Sequence, residues 1–327
     1  MKKLTTWFLS IFFVLLANAQ EATQTFKKLS IDSLKNGFIS HQKNNPQLAK
    51  AYLLALLEKA TSSNNTLKAH KIHYQLANSY KTLRNKDSAL YHIDNAIKKA
   101  GTNQTSLSNY IYLKGGIHYE FGDYLKAIEY YTDVYEIANK NNNFVTKANI
   151  ANDIALIKTQ IGQNLDALQL VKKNLPFYEA LVQQKDGEKY SISYINSLMS
   201  ISDIYTNLYI DQQKSQKKYL DSAQYYNNIA ITKSLQYNDD LGFAISLRLK
   251  GIIHHEEGNI EQSTTDLIKA TELFQNLNNP KRLLLIYRAT HFNHKYLYMS
   301  ILFCKLYVNI QKMKILKELD RQAFTER

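Results

Sequence analysis

Apolar and small residues recur along the chain at helical spacing, and the recurrence itself repeats. Leu113-Lys114-Gly115-Gly116-Ile117-His118-Tyr119-Glu120-Phe121-Gly122-Asp123-Tyr124 matches Leu249-Lys250-Gly251-Ile252-Ile253-His254-His255-Glu256-Glu257-Gly258-Asn259-Ile260. Each stretch runs on to a small residue (Ala127, Ser263), then Tyr131 or Leu267, then Val134 or Ala270. A second match links Asp87-Ser88-Ala89 with Ala96-Ile97 to Asp221-Ser222-Ala223 with Ala230-Ile231. In both, two alanines seven residues apart share one helix face. Long helices are predicted, punctuated by Asn44-Asn45-Pro46, Asn64-Asn65, Asn139 to Asn143, Asn238-Asp239-Asp240 and Asn278-Asn279-Pro280 as turns and caps. Repetition on this scale predicts a solenoid.

The spacing of Gly115, Gly122, Tyr124, Ala127 and Tyr131 resembles a tetratricopeptide repeat. Leu76-Ala77-x-x-Tyr80 with Ala89 and Ala96 fits the same frame, as do Ala155, Gly162 and Ala167, and Ile201-Ser202-x-x-Tyr205 with Ala223 and Ala230. In the last of these about nine extra residues enter, placed between its helices around Ile210 to Lys218. The anchors Ala89, Ala127, Ala167, Ala223 and Ser263 lie 38, 40, 56 and 40 residues apart, longer than the family's usual 34 or so. The match covers about residues 67–277, and 29–60, with Ala49, Ala51 and Ala55, resembles a divergent sixth repeat. The resemblance implies an all-α fold, a right-handed α-solenoid of antiparallel helix pairs with about five to six repeats. Neither helix of such a pair buries its apolar face alone. A small residue at each crossing admits the partner's backbone, and aromatics fill the remaining space.

The two ends read differently. Met1-Lys2-Lys3, an apolar run from Trp7 to Leu16, and Ala17-Asn18-Ala19 before Gln20 form the three parts of a signal peptide. The alternative is an uncleaved N-terminal anchor. The expected organisation is a signal peptide over 1–19, a repeat domain over 20–280, and a basic segment over 281–327. Export places the protein in the periplasm or outside the cell. Tyr296 to Ile310 is apolar but carries Lys305 and is too short for a comfortable span. Lys312 to Leu319 reads as a basic amphipathic helix. The segment 281–327 fits a capping helix, attachment to a membrane surface, or residues read out of their natural frame.

Composition narrows the function. The chain of 327 residues has 10 Gly and 3 Pro, which suits helices rather than a turn-rich sheet protein. The net charge of +13 lies largely at the ends, since residues 20–280 hold 29 basic against 25 acidic side chains. A nucleic-acid partner is therefore not expected. Cys304 is the one cysteine, so no intrachain disulfide forms. No phosphate loop, dinucleotide fingerprint, nucleophile elbow or zinc-protease helix occurs. His70 with His73, and His291 with His294, stand three apart without an acidic third ligand, so packing is preferred to metal binding. His118 and His254 share one repeat position, again read as packing. No catalytic residue, cofactor or metal is assigned, and no enzyme activity is expected.

A binding surface remains. The resemblance implies a concave groove lined by the first helix of each pair, which takes a peptide or protein segment. The groove positions are Tyr74, Asn78 and Lys81, then Tyr112 and Tyr119, continued by Asn152, Asp203, Arg248 and His255. The family's carboxylate clamp is not expected, because Tyr74 stands where its Lys belongs. Mixed Tyr and amide groups suit a peptide held by stacking and hydrogen bonds. The chain reads as an exported interaction scaffold. The alternative is the periplasmic sensor half of a signalling protein, since the pattern is similar to Bacteroidetes proteins whose exported repeats precede a membrane helix and a kinase or DNA-binding domain.

Overall fold

The computed structural model describes residues 26, 28–62, 66–101 and 104–277. Residues 1–19, where a signal peptide is expected, Cys304, His291, His294 and the whole of 281–327 lie outside the described residues. Among the described residues twelve α-helices follow one another: α1 (Ile31–His41), α2 (Pro46–Ser62), α3 (Thr66–Thr82), α4 (Lys86–Lys99), α5 (Gln104–Glu120), α6 (Tyr124–Lys140), α7 (Phe144–Gln160), α8 (Asn164–Val182), α9 (Ser191–Asp211), α10 (Lys217–Gln236), α11 (Asp240–Glu256) and α12 (Ile260–Asn276). A 3-10 turn, Gly187–Tyr190, precedes α9. The fold is an all-α solenoid, with no strand among the described residues. None of these helices is long and apolar enough to cross a membrane.

Contacts divide the chain into two compact units, one ending at Gly162 and the other starting at Gln163. In the first, each helix from α1 to α7 packs on the next, and α3 also reaches α5. In the second, α8 packs on α9, α9 on α10, α10 on α11 and α11 on α12, while α9 also reaches α11. The 3-10 turn packs against both α8 and α9.

Small residues sit where helices cross. Ala77, Ala89, Ala96, Ala127, Ala155, Ala167, Ala223 and Ala230 are wholly inaccessible to solvent, and Ser263 nearly so. The two glycines at matching positions show how tight the crossing is. A Cβ added to Gly115 would lie 2.6 Å from ring carbons of Tyr131 on α6. One added to Gly251 would lie 2.8 Å from Leu267 Cγ on α12. Both distances are below van der Waals contact, so the knob of the second helix occupies the space a side chain would need. Ser202 on α9 and Ser263 on α12 close their crossings with hydrogen bonds, donating to the carbonyls of Ala223 (2.8 Å) and Gly251 (2.7 Å).

One turn design is reused between helices. Arg84, Gly122, Asn142, Gly162, Asn238 and Gly258 all have positive φ and lie two residues past the end of a helix. The next residue is the N-cap of the following one, and after Arg84, Gly122, Asn142, Asn238 and Gly258 its N–H reaches back five residues to a helix carbonyl, as Asn85 does to Tyr80 and Asn259 to His254. Asn85, Asn143 and Asp239 then accept from the N–H three residues on, capping α4, α7 and α11. Asn45 does the same for α2.

The extra residues fall differently from the expectation. Ile210, Asp211, Lys217 and Lys218 are helical, and only Gln212 to Gln216 connect α9 to α10. Much of the added length enters earlier, between Val182 and Ser191, and in the 21 residues of α9 and 20 of α10. Helix extension satisfies backbone hydrogen bonds that a long loop would leave to water.

Gly122→Ala isolates the cost of the turn, because a Cβ there meets no atom within 4 Å while φ is +81°. The expected loss is about 1–2 kcal/mol by denaturant unfolding. An unchanged midpoint would show that the turn does not require the left-handed conformation.

Candidate binding face

The first helices of successive pairs carry the predicted face at fixed offsets from their small residue. Three positions before it stand Tyr74, Tyr112, Asn152 and Arg248, and four after it Lys81, Tyr119 and His255. The two offsets are seven residues, about two helical turns, apart, so both project from one stripe.

In the first unit, Tyr74 on α3 is half-buried, with its ring 5.0 Å from that of Tyr110 on α5. Asn78 is exposed one turn later, and Lys81 half-buried in the last turn of the same helix. Tyr112 on α5 is 40% exposed and stacks on Tyr131, centroids 5.1 Å apart. Its hydroxyl donates to Asp153 Oδ2 on α7 at 3.0 Å. Asn152, half-buried, is the neighbour of that carboxylate. Tyr119 lies two turns beyond Tyr112, its ring 5.9 Å from Tyr124. The structure therefore brings Tyr112 against α7 and sets Tyr74 within electrostatic reach of it.

In the second unit, Asp203 on α9 lies within electrostatic reach of Arg248 on α11. Burial pushes the Asp203 carboxyl up, and the nearby Arg248 charge opposes the rise. His255 is turned to its own neighbour, with Nδ1 3.2 Å from Glu256 Oε1, while Lys214 holds the other oxygen of Glu256 at 2.7 Å.

Asp153 did not stand out in the sequence. It sits two positions before Ala155, where α5 and α11 place the buried leucines Leu113 and Leu249. A carboxylate at a leucine position was the signal available. Burial pushes it up to about 6, against the hydrogen bond from Tyr112 that favours its charged form. The same enclosure raises the hydroxyls of Tyr112 and Tyr131, by burial first and then by the neighbouring carboxylate and phenols.

The histidines are built into helix contacts. His70 Nδ1 lies 2.6 Å from the Tyr110 hydroxyl, and His73 Nδ1 lies 2.9 Å from His92 Nδ1. Burial, then the charges of His92 and Lys99, lower His73 to about 4. His118 packs on Tyr130 and meets Asp123 Oδ2 at 3.1 Å. Its repeat counterpart His254 meets Asp266 Oδ2 at 3.0 Å. Among the described residues no group of three or more His, Cys, Asp or Glu is placed to hold a metal.

A family model for the tetratricopeptide repeat matches residues 108–141, the hairpin of α5 and α6 that contains Gly115, Gly122, Ala127 and Tyr131. These residues form a tetratricopeptide repeat within a solenoid of the same fold. No curated protein sequence matches this repeat protein. Solved structures with a similar fold include aspartyl phosphate phosphatase F from Bacillus subtilis, with TM-score 0.59 and 12% identity over 88% of this chain and 76% of that one. The apo form of RapI aligns with TM-score 0.58 and 12% identity over 80% of this chain and 96% of that one. A Rap protein complexed with competence and sporulation factor aligns with TM-score 0.51 and 13% identity over 77% and 71%. These likenesses establish the repeat fold.

Asp153 makes the stability of this repeat protein depend on pH. Its folded value near 6 exceeds the ordinary 3.8, so the folded chain holds the extra proton between about pH 4 and 6. The stability this group contributes therefore falls as pH rises through that window. Asp153→Asn is expected to be more stable than the parent at pH 7.5 by about 1–2 kcal/mol, with the difference gone by pH 4. Denaturant midpoints across pH test this, and a difference that ignores pH would contradict it.

Proposed function

We propose that the protein is a non-catalytic interaction scaffold that takes a peptide or an extended protein segment along the exposed face of α3, α5 and α7. The observation that carries this reading is Tyr112. It is a large aromatic side chain 40% exposed on a first helix, held in one orientation by stacking on Tyr131 and by its bond to Asp153. A fixed, exposed phenol offers contact area at little cost in side-chain entropy. Tyr74, Asn78, Lys81, Tyr119 and Asn152 extend the surface with mixed aromatic, amide and basic groups. The family likeness supports the same reading, since one Rap protein of similar fold was solved with competence and sporulation factor bound. Asp203, Arg248 and His255 supply a second polar stretch on α9 and α11.

The segment from Met1 to Gln20 supports export, so we place the partner outside the cytoplasm. The basic segment 281–327 is left as a point of possible membrane contact, and no nucleic acid is expected as partner.

The double variant Tyr112→Ala with Tyr119→Ala tests the face. Circular dichroism should keep the helical signal, because Tyr112 is exposed and Tyr119 half-buried. Capture of partners from extracts of the source cells, quantified by mass spectrometry, should fall at least tenfold relative to the parent. Equal capture by parent and variant would contradict the assignment of this face.

A further inference from the structure

We infer that the Tyr112–Asp153 site holds the cationic side chain, lysine or arginine, of the segment bound along this face. The inference rests on the reading above and adds the chemistry of one anchoring position.

Three observations carry it. Asp153 takes a position that is a buried leucine in α5 and α11, so its carboxylate is enclosed at a cost that packing alone does not explain. Its hydrogen bond comes from a neutral phenol, and among the described residues it forms no ion pair. The other half-buried aspartate on a first helix, Asp203, lies within electrostatic reach of Arg248, whose charge favours its ionised form. Among the described residues no cation does the same for Asp153.

The protein also shows what fills such a site. Lys114, on the same helix as Tyr112, is held 2.8 Å from Asp94 Oδ1 with its ammonium 4.7 Å from the Tyr130 ring centre. A carboxylate and a phenol together hold that lysine by a charge-assisted hydrogen bond and a cation–π contact. Tyr112 and Asp153 provide the same two groups, with the phenol ring exposed. A cation arriving from a bound segment would meet the free lone pairs of Asp153 and the edge or face of Tyr112. Its charge would offset the cost of keeping the carboxylate ionised at neutral pH. A glutamate or aspartate at that position would meet like charge and is disfavoured.

The test uses the full chain and a synthetic library of random nonapeptides displayed on ribosomal fusions, selected at pH 7.5. The parent protein should enrich peptides with lysine or arginine at one fixed position. Asp153→Asn should still enrich peptides but lose that basic preference, and should bind the best parental peptide at least tenfold more weakly. Tyr112→Phe, which keeps the ring and removes the hydroxyl, should retain the basic preference. Circular dichroism of both variants establishes that they fold. Enriched peptides with no basic position, or a basic preference that survives Asp153→Asn, would overturn this inference and leave the scaffold reading standing. Failure of the folded parent to enrich any peptide would overturn both.

Discussion

The close approach of paired helices at one small residue sets the terms for everything else in this protein. Where Gly115 lies under Tyr131, and Gly251 under Leu267, there is no room for even one methyl group. Dispersion contacts fall off steeply with distance, so a gap opened by a larger residue costs contacts along both helices. The same approach brings backbone carbonyls within reach of side chains across the pair, and Ser202 and Ser263 use it for buried hydrogen bonds. Asn227 on α10 does likewise toward Ser246 on α11, at 3.0 Å. Polar groups can therefore enter the interior, provided each finds the neighbour's backbone.

The crossing also decides what the outer face presents. Once the small residue is fixed against its partner, the residues three before and four after it are fixed in direction too. Tyr112 is thereby laid against Asp153 of α7, and Arg248 is brought within electrostatic reach of Asp203 of α9. The chemistry of the face is set by which residues occupy those offsets in each repeat. The scaffold itself tolerates wide variation there, and a repeat fold can be kept while its partner changes.

Periodicity made the helices, crossings and caps legible. The alanines seven apart, the Gly115–Tyr131 spacing, and the Asn-rich junctions all depend on interactions within about one hairpin. What depends on longer reach was less visible. Arg84 takes the left-handed turn conformation that Gly122 and Gly258 take elsewhere, and no glycine marks it. His92, nineteen residues from His73, is its partner only because α3 and α4 lie side by side. Asp153 is enclosed by a tyrosine forty-one residues earlier in the chain. The face positions can be assigned from sequence because their offset from the small residue is local. Their pairings cannot, because these join different repeats. The added length around α9 was assigned to a loop, since an inserted stretch without periodic signals reads as one. In the structure much of it continues the helices instead.

The dependence on close approach is open to one direct measurement, a double-mutant cycle of Gly251→Ala and Leu267→Ala by denaturant unfolding. Helix propensity alone favours Gly251→Ala by up to about 1 kcal/mol. With Leu267 present, the added methyl group should instead destabilise the chain, by about 1–3 kcal/mol. In the Leu267→Ala background only the Ser263 carbonyl, 3.2 Å from the added carbon, remains close, and the same substitution should cost distinctly less. A coupling of about 1 kcal/mol or more between the two sites is the expected result. If Gly251→Ala has the same effect in both backgrounds, the crossing is not held by this contact.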